Sequence, residues 1–225
     1  VGSLMFWSLY QMAPSGLNLF YDRNVDPIVF GFQVPPQWVQ NINTFVIAVG
    51  GPLLAWVFAK LRERGWRIDV PRQFASALLL MGAGFLVLPL GIALGDPATG
   101  RSAFIWIFLS YVLQSVGELL ISPVGYAMIG KLAPQRYQGV MMGAWMLLTG
   151  LASIFAGALS KSIPTAQDAA PQVTNAYYAM LFGRLGWGTV AVGVVLLLLI
   201  PFLTRLISSQ DTPDVDELAP AVLPH

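Results

Sequence analysis

The sequence has no cysteine, and its single histidine, His225, is the last residue. The first absence removes disulfides and thiolate metal sites and leaves the redox compartment undetermined. The second removes most histidine-dependent metal and acid–base chemistry. Charge is scarce too: Asp, Glu, Lys and Arg make up 10% of the 225 residues, whereas a soluble domain carries about 25%. With a formal net charge of +1 and no long basic run, the chain lacks the clustered Lys and Arg that binding to nucleic acid requires. The chain opens at Val1 and passes directly into Leu4-Met5-Phe6-Trp7, with neither the basic n-region nor the small-residue cleavage site of a signal peptide. The expectation is a portion of a longer chain.

What the sequence does have is apolar residues, 56% of the total, and a mean hydropathy of +0.67. A membrane-spanning helix needs roughly 20 mostly apolar residues, and the chain returns to such stretches often enough for about six spans. The predicted fold is an all-α membrane protein, a six-helix transmembrane bundle over residues 1–205 followed by a tail, 206–225. Helix one is expected from Gly2 to Phe20, and a polar loop broken by Pro27, Pro35 and Pro36 from Asp22 to Pro36. Helices two and three follow over Gln37 to Ala59 and Gln73 to Gly95. Helix four, Ala103 to Gly130, is long enough to be tilted, or kinked at Pro123. Helix five runs from Gln138 to Ser160 and helix six from Tyr178 to Leu203.

Loop Lys and Arg prefer the cytoplasmic side. The loop after helix two carries Lys60, Arg62, Arg64, Arg67 and Arg72, and the loop after helix four carries Lys131 and Arg136. Arg205 joins them on that side, which predicts that both chain ends are cytoplasmic. The tail, with Asp211, Asp214, Asp216, Glu217 and several prolines, reads as a disordered, solvated segment. Gly143, Gly150 and Gly157 recur every seven residues along helix five, with Gly139 ahead of them. Small residues let helices approach closely in lipid, as a static contact or a sliding one.

An acidic side chain in the hydrocarbon region survives where a cavity, a partner or a function offsets its cost. Glu118 sits near the middle of helix four. Gln114 and Ser122, four residues to either side, share its face. Pro123 cannot donate a backbone hydrogen bond, so the carbonyl of Leu119 loses its helical partner. Burial without a partner favours the neutral acid, a proton carrier, whereas a ligand ammonium favours the carboxylate. Competition between these states would couple a proton to a cationic substrate; the plainer alternative is a protonated Glu118 bonded to a neighbouring helix for packing. In helix one, Gln11, Ser15 and Asn18 follow helical spacing, with Tyr10 beside them, and helix two offers Gln40 and Asn43. Each could bind a peptide-like ligand or tie helices together.

These residues carry a resemblance. The run Gly117-Glu118-Leu119-Leu120-Ile121-Ser122-Pro123-Val124-Gly125 resembles the tenth-helix motif of the proton-dependent oligopeptide transporter family, a branch of the major facilitator superfamily. Lys131-Leu132-Ala133-Pro134 and Gly139 to Trp145 resemble the loop and eleventh helix that follow it there. Phe6-Trp7 through Ser15, with Asn18-Leu19-Phe20 and Asp22-Arg23, resembles the seventh helix. Val34-Pro35 with Trp38, Gln40, Ile42 and Asn43 resembles the start of the eighth. The chain would then be the carboxy-terminal half of a twelve-helix carrier, and its partners would be a di- or tripeptide, the lipid bilayer of the inner membrane and an amino-terminal six-helix half. The signatures of that first half, a glutamate-rich motif ending in Glu-Arg and an aromatic-Ile-Asn motif, are absent from this sequence.

The resemblance implies that Glu118 binds the peptide ammonium, with Asn43, Ser122 and Trp145 lining the pocket, and that the coupling ion is a proton, with no other cofactor and no metal. Gln11 lies where many relatives have an acidic residue tied to proton coupling. An amide cannot titrate, which leaves Glu118, or acids in the other half, to exchange the proton. Asp22 matches an acidic residue that pairs with a first-half base to close the outer gate. Thr44 follows Asn43 where proline is frequent. The implied activity is proton-coupled peptide symport. A drug or sugar carrier of the same fold and a non-transporting peptide sensor or scaffold are the competing readings. An intramembrane enzyme would need a nucleophile with its base, or paired acids, and the helices contain no His, no Cys and no second buried carboxylate.

Overall fold

The computed structural model describes the backbone of residues 2–65, 70–132, 134–161 and 170–208, and the side chains of 123–132 and 203–208 lie outside that description. In order, the elements are α1 (Gly2–Tyr10), a π-helical turn (Ala13–Leu17), α2 (Asn18–Asn24), β1 (Ile28–Val29), β2 (Phe32–Gln33), α3 (Pro36–Val39) and α4 (Asn41–Glu63). They continue with α5 (Val70–Ala93), α6 (Phe104–Leu132), a 3-10 turn (Gln135–Tyr137), α7 (Gln138–Lys161) and α8 (Pro171–Ser208). Among the described residues, five stretches are long and apolar enough to cross a membrane: Pro36–Glu63, Val70–Ala93, Phe104–Ser122, Gln135–Lys161 and Pro171–Phe202.

The first predicted helix is not a single helix. Pro14 has no N–H to give to the carbonyl of Tyr10, four residues back, and α1 ends at Tyr10. The chain recovers through a π turn in which the amides of both Gly16 and Leu17 reach the Met12 carbonyl, at 2.8 and 3.3 Å. The segment expected as a polar loop from Asp22 is also more ordered. Helix α2 carries Asp22 and Arg23 on to Asn24, and an antiparallel hairpin follows, pairing Ile28 with Gln33 and Val29 with Phe32. Its turn holds Phe30 at φ 50° and Gly31 at φ 83°, the positive pair that a two-residue hairpin favours. Helix α8 begins at Pro171, ahead of the predicted start at Tyr178, because proline fits the first helical turn, where its missing N–H has no intrahelical partner to lose. The kink expected at Pro123 concerns a side chain outside the described residues; of the tail expected over 206–225, residues 206–208 are the last of α8 and 209–225 lie outside the described residues.

The core is organised around α5. Glycines let α8 cross it at backbone distance: a Cβ on Gly82 would lie 2.7 Å from Val190 and 2.8 Å from the Gly186 carbonyl, and one on Gly186 would lie 2.7 Å from Leu86. On its other side α5 meets α6, where a Cβ on Gly84 would come within 3.1 Å of the Ser110 carbonyl and one on Gly117 within 3.1 Å of the Ala77 carbonyl. Phe20, Phe85, Tyr178 and Phe182 interlock edge-on and stacked, with centroids 5.0 to 5.9 Å apart, and join α2 to α5 and α8. Fully buried Asn24 closes this end of the bundle. Its amide donates to Thr174 Oγ1 at 2.7 Å and Asn175 Oδ1 at 2.8 Å, and its carbonyl accepts the Ser102 amide.

Two helices stand apart from this core. No residue of α4 is buried, and on α7 only Trp145, Ala152 and Ala156 are. Phe45, Val49, Leu53 and Trp56 of α4 and Val140, Leu147, Ile154 and Phe155 of α7 are exposed. The four α7 glycines face open space, with nothing within 4 Å of where a Cβ would lie. Among the described residues, the glycines that bring helix backbones close are therefore those of α5, α6 and α8, while Gly50 of α4 meets the Leu119 side chain, 2.9 Å from where its Cβ would lie.

Placing Leu at Gly186 forces it into Leu86 and the α5 backbone and should cost about 1–3 kcal/mol, the usual penalty of overpacking. Gly183→Leu, one turn away with nothing within 4 Å, should be tolerated. Thermal unfolding of the detergent-purified protein is expected to show a lowered midpoint for the first variant only.

Candidate functional site

Glu118 is half-buried and is held from α4. The side-chain amide of Asn43 donates to Glu118 Oε2 at 2.9 Å and also reaches Ser115 Oγ at 3.0 Å. Ser115 Oγ in turn donates to the Tyr111 carbonyl at 2.7 Å, a bond within the helix that orients its lone pairs towards Asn43. The Tyr111 hydroxyl donates to the Ala13 carbonyl at 3.3 Å, where the π turn begins. Helices α4 and α6 and the π turn thus meet in one connected polar network.

A cleft of about 290 Å³ opens beside it, lined by Tyr10, Gln11, Ala13, Pro14, Gln40, Asn41, Asn43, Thr44, Tyr111, Gln114 and Ser115. The lining contains amides, hydroxyls and phenols and no basic side chain. The carboxylate therefore meets neutral donors, which orient it and leave its charge uncompensated. Among the described residues there is no group of three or more His, Cys, Asp or Glu placed to hold a metal ion.

The predicted residues divide by location. Asn43 and Glu118 are brought into direct contact. Gln11 lines the cleft, yet its amide donates to Ser153 Oγ on α7 at 3.1 Å, and Ser15 Oγ lies 2.8 Å from Ser160 Oγ. Two residues of the polar face predicted on helix one, Gln11 and Ser15, thus meet α7 as an interhelical seam, whereas the buried Asn18 Oδ1 finds no partner there. Ser122 is half-buried one turn beyond Glu118, Trp145 is buried in α7, and Asp22 is exposed on α2; none of the three lines this cleft. Gln114 lines the cleft but donates to Ser110 Oγ at 2.9 Å, so it is Ser115 that joins the Glu118 network. Ser115, three residues before Glu118, was legible as a same-face neighbour. Tyr10 stood out as polar on helix one, and the structure places it in the cleft lining, its ring against Phe6 and Trp7.

The chain matches the POT family over residues 1–179. It belongs to that family. Among curated relatives of the family's permeases, "Dipeptide and tripeptide permease A" of Edwardsiella piscicida is 37% identical over 206 residues, which cover 91% of this chain and 41% of the relative. The protein of the same name from Chromobacterium violaceum is 39% identical over 204 residues, covering 90% and 40%. The fold agrees with a crystal structure of the peptide transporter POT in complex with sulfate, at TM-score 0.78 and 30% identity over 92% of this chain and 39% of that one. A mutant of that transporter in complex with alafosfalin matches at TM-score 0.77 and 30% identity, covering 92% and 40%. The chain therefore spans about two fifths of the length of these POT relatives.

The chain has no native cysteine, so the α1–α7 seam can be probed directly. With Ser15 and Ser160 both replaced by cysteine, mild oxidation should give a reductant-sensitive shift in gel mobility, because their side-chain oxygens are in contact. Cysteines at Ser15 and Ser110, on different helices with no such contact, should give none.

Proposed function

We propose that this chain is the carboxy-terminal six-helix half of a major facilitator superfamily carrier that moves di- and tripeptides with protons by alternating access. The observation that carries the reading is Glu118, an acid of the hydrocarbon region whose partner Asn43 is neutral, beside a cleft with no basic lining. Such a carboxylate suits a cation supplied by the ligand, and the ammonium of a peptide is that cation. The names of the curated relatives, dipeptide and tripeptide permeases, support the substrate class.

In this reading the interrupted segment Gly2–Asn24 is the first of six spans of a bundle over residues 1–205, with 206–225 as a solvated cytoplasmic tail. The bundle lies in the inner membrane with both ends cytoplasmic, an orientation supported by Lys60 and Arg62 in the last turn of α4, Arg64 just after it and Arg72 in the first turn of α5. The amino-terminal half packs against the apolar faces that α4 and α7 leave uncovered. Basic groups of that half hold the peptide carboxylate, and one of them pairs with Asp22 at the outer gate. Ser122 and Trp145 complete the pocket when the halves close. A proton is the coupling ion and no other cofactor is required. Glu118 alternates between proton and ammonium, while Gln11, an amide, takes no part in titration and ties helix one to α7.

In membranes containing the whole transporter, Glu118→Gln should lower uptake of a labelled dipeptide by about a hundredfold, as expected when one member of a desolvated charge pair is lost, with the amount in the membrane unchanged. Uptake equal to that of the unaltered protein would overturn the assignment. Flux of sugars or cationic drugs that dipeptides do not inhibit would favour another substrate class on the same fold.

A further inference from the structure

We infer that Arg184 on α8 is a site for an anionic lipid: its guanidinium holds the headgroup phosphate at the end of the bundle where α8 begins. The inference is independent of the peptide site and needs only that α8 spans the bilayer.

The register of α8 in the membrane carries the argument. Residues 185–204 are twenty in number and none is charged. At a rise of about 1.5 Å per residue they match a hydrocarbon layer of about 30 Å. Arg184 and Arg205 bracket that run. The start of α8, by contrast, is polar. Thr174 and Asn175 accept from the Asn24 side chain, and Gln172 and Asn175 donate to the carbonyls of Ala98 and Gly100 in the connection between α5 and α6. Arg184 follows Asn175 by nine residues, about 14 Å along the helix axis. It therefore sits between the polar end of the bundle and the apolar run, at the depth of the headgroups.

Arg184 also points away from the core. Met180, Trp187, Val194, Val195 and Leu198 are exposed together with it, at spacings that define one helical face. The opposite side of α8 is the one on which Gly186 meets Leu86 of α5. Arg184 is the one charge on this outward, otherwise apolar face, and its guanidinium makes no ion pair or hydrogen bond among the described residues. An arginine turned to hydrocarbon is costly, and snorkelling to the polar layer relieves the cost. There its planar fork pairs bidentately with a phosphate. A zwitterionic lipid brings its own ammonium to that phosphate, so the site favours a headgroup of net negative charge. Trp187, one turn along the same face and 65% exposed, flanks the arginine on the hydrocarbon side as an interfacial aromatic.

Trp187 is thus a reporter of the lipid beside Arg184, its signal being the fluorescence that Trp187→Phe removes. The whole transporter is placed in phosphatidylcholine bilayers containing phosphatidylglycerol with brominated chains, which quench tryptophan. Half-maximal quenching should need an about fivefold lower mole fraction of that lipid in the unsubstituted protein than in Arg184→Gln, the scale of one basic residue at an anionic surface. Brominated phosphatidylcholine should quench both alike. Equal phosphatidylglycerol curves overturn the inference. So does a change from oligomer to monomer in Arg184→Gln with the lipid curves unaltered, which would assign Arg184 to a carboxylate of a second copy. If Arg184→Gln fails to reach the membrane, the unsubstituted transporter suffices. Its half-quenching should come at a lower mole fraction of brominated phosphatidylglycerol than of brominated phosphatidylcholine, and about 1 M salt should narrow the gap. A gap that is absent, or that salt leaves unchanged, overturns the inference.

Discussion

A carboxylate in a hydrocarbon layer persists only where its desolvation is offset, and here a neutral donor on another helix contributes to that offset. The packing of the bundle fixes that meeting point. Asn43 reaches Glu118 only if the start of α4 lies against the middle of α6. The depth of α6 is set by α5. A side chain at Gly117, immediately before Glu118, would strike the Ala77 carbonyl at 3.1 Å, and one at Gly84 would strike α6. The close approach of α5 and α8 through Gly82 and Gly186 supports α5 from behind. The chain thus contains a rigid support of α5, α6 and α8 that presents an acid towards more loosely packed α4 and α7.

The interruption of helix one gives that arrangement two distinct parts. Before Pro14, α1 is locked by the aromatic stack of Phe6, Trp7 and Tyr10. After the π turn, α2 is held at its far end by Asn24 and by the ring cluster around Phe182. Between them the backbone carries fewer regular bonds, and side chains take over: Tyr111 caps the Ala13 carbonyl, and Ser15 contacts Ser160. A polar break in a membrane helix is tolerated because it lines protein or a cavity and so stays out of lipid. The same break opens the cleft beside Tyr10 and Pro14.

Much of this was legible in the residues. The long apolar stretches pointed to a membrane protein and the single acid in helix four to a ligand or proton site, while the carrier reading came from the family resemblance that the Glu-x-x-x-Ser-Pro run carries; the structure brings Asn43 and Glu118, two residues named by that resemblance, into contact. Other features were not legible. The Gln11, Ser15 and Asn18 spacing identified a polar face but could not say that α7 would meet it. The regular glycines of helix five looked like a packing seam, yet within this chain the close contacts fall on Gly82, Gly117 and Gly186. Gln114 and Ser115 are adjacent in sequence, and only their bonds show which of them joins the acid.

The sequence by itself determined the solvent of this protein, the approximate positions of its helices and the presence of one acid, Glu118, among them. Hydropathy and proline placement act along the chain, so they can be summed or located without knowing what lies opposite. Which partners surround Glu118 was decided by tertiary structure alone. Orientation and hydrogen bonding depend on which faces of α1, α4 and α6 are turned together and at what depth, and those are set by helix contacts between residues far apart in sequence, such as Asn43 with Glu118 and Ala13 with Tyr111.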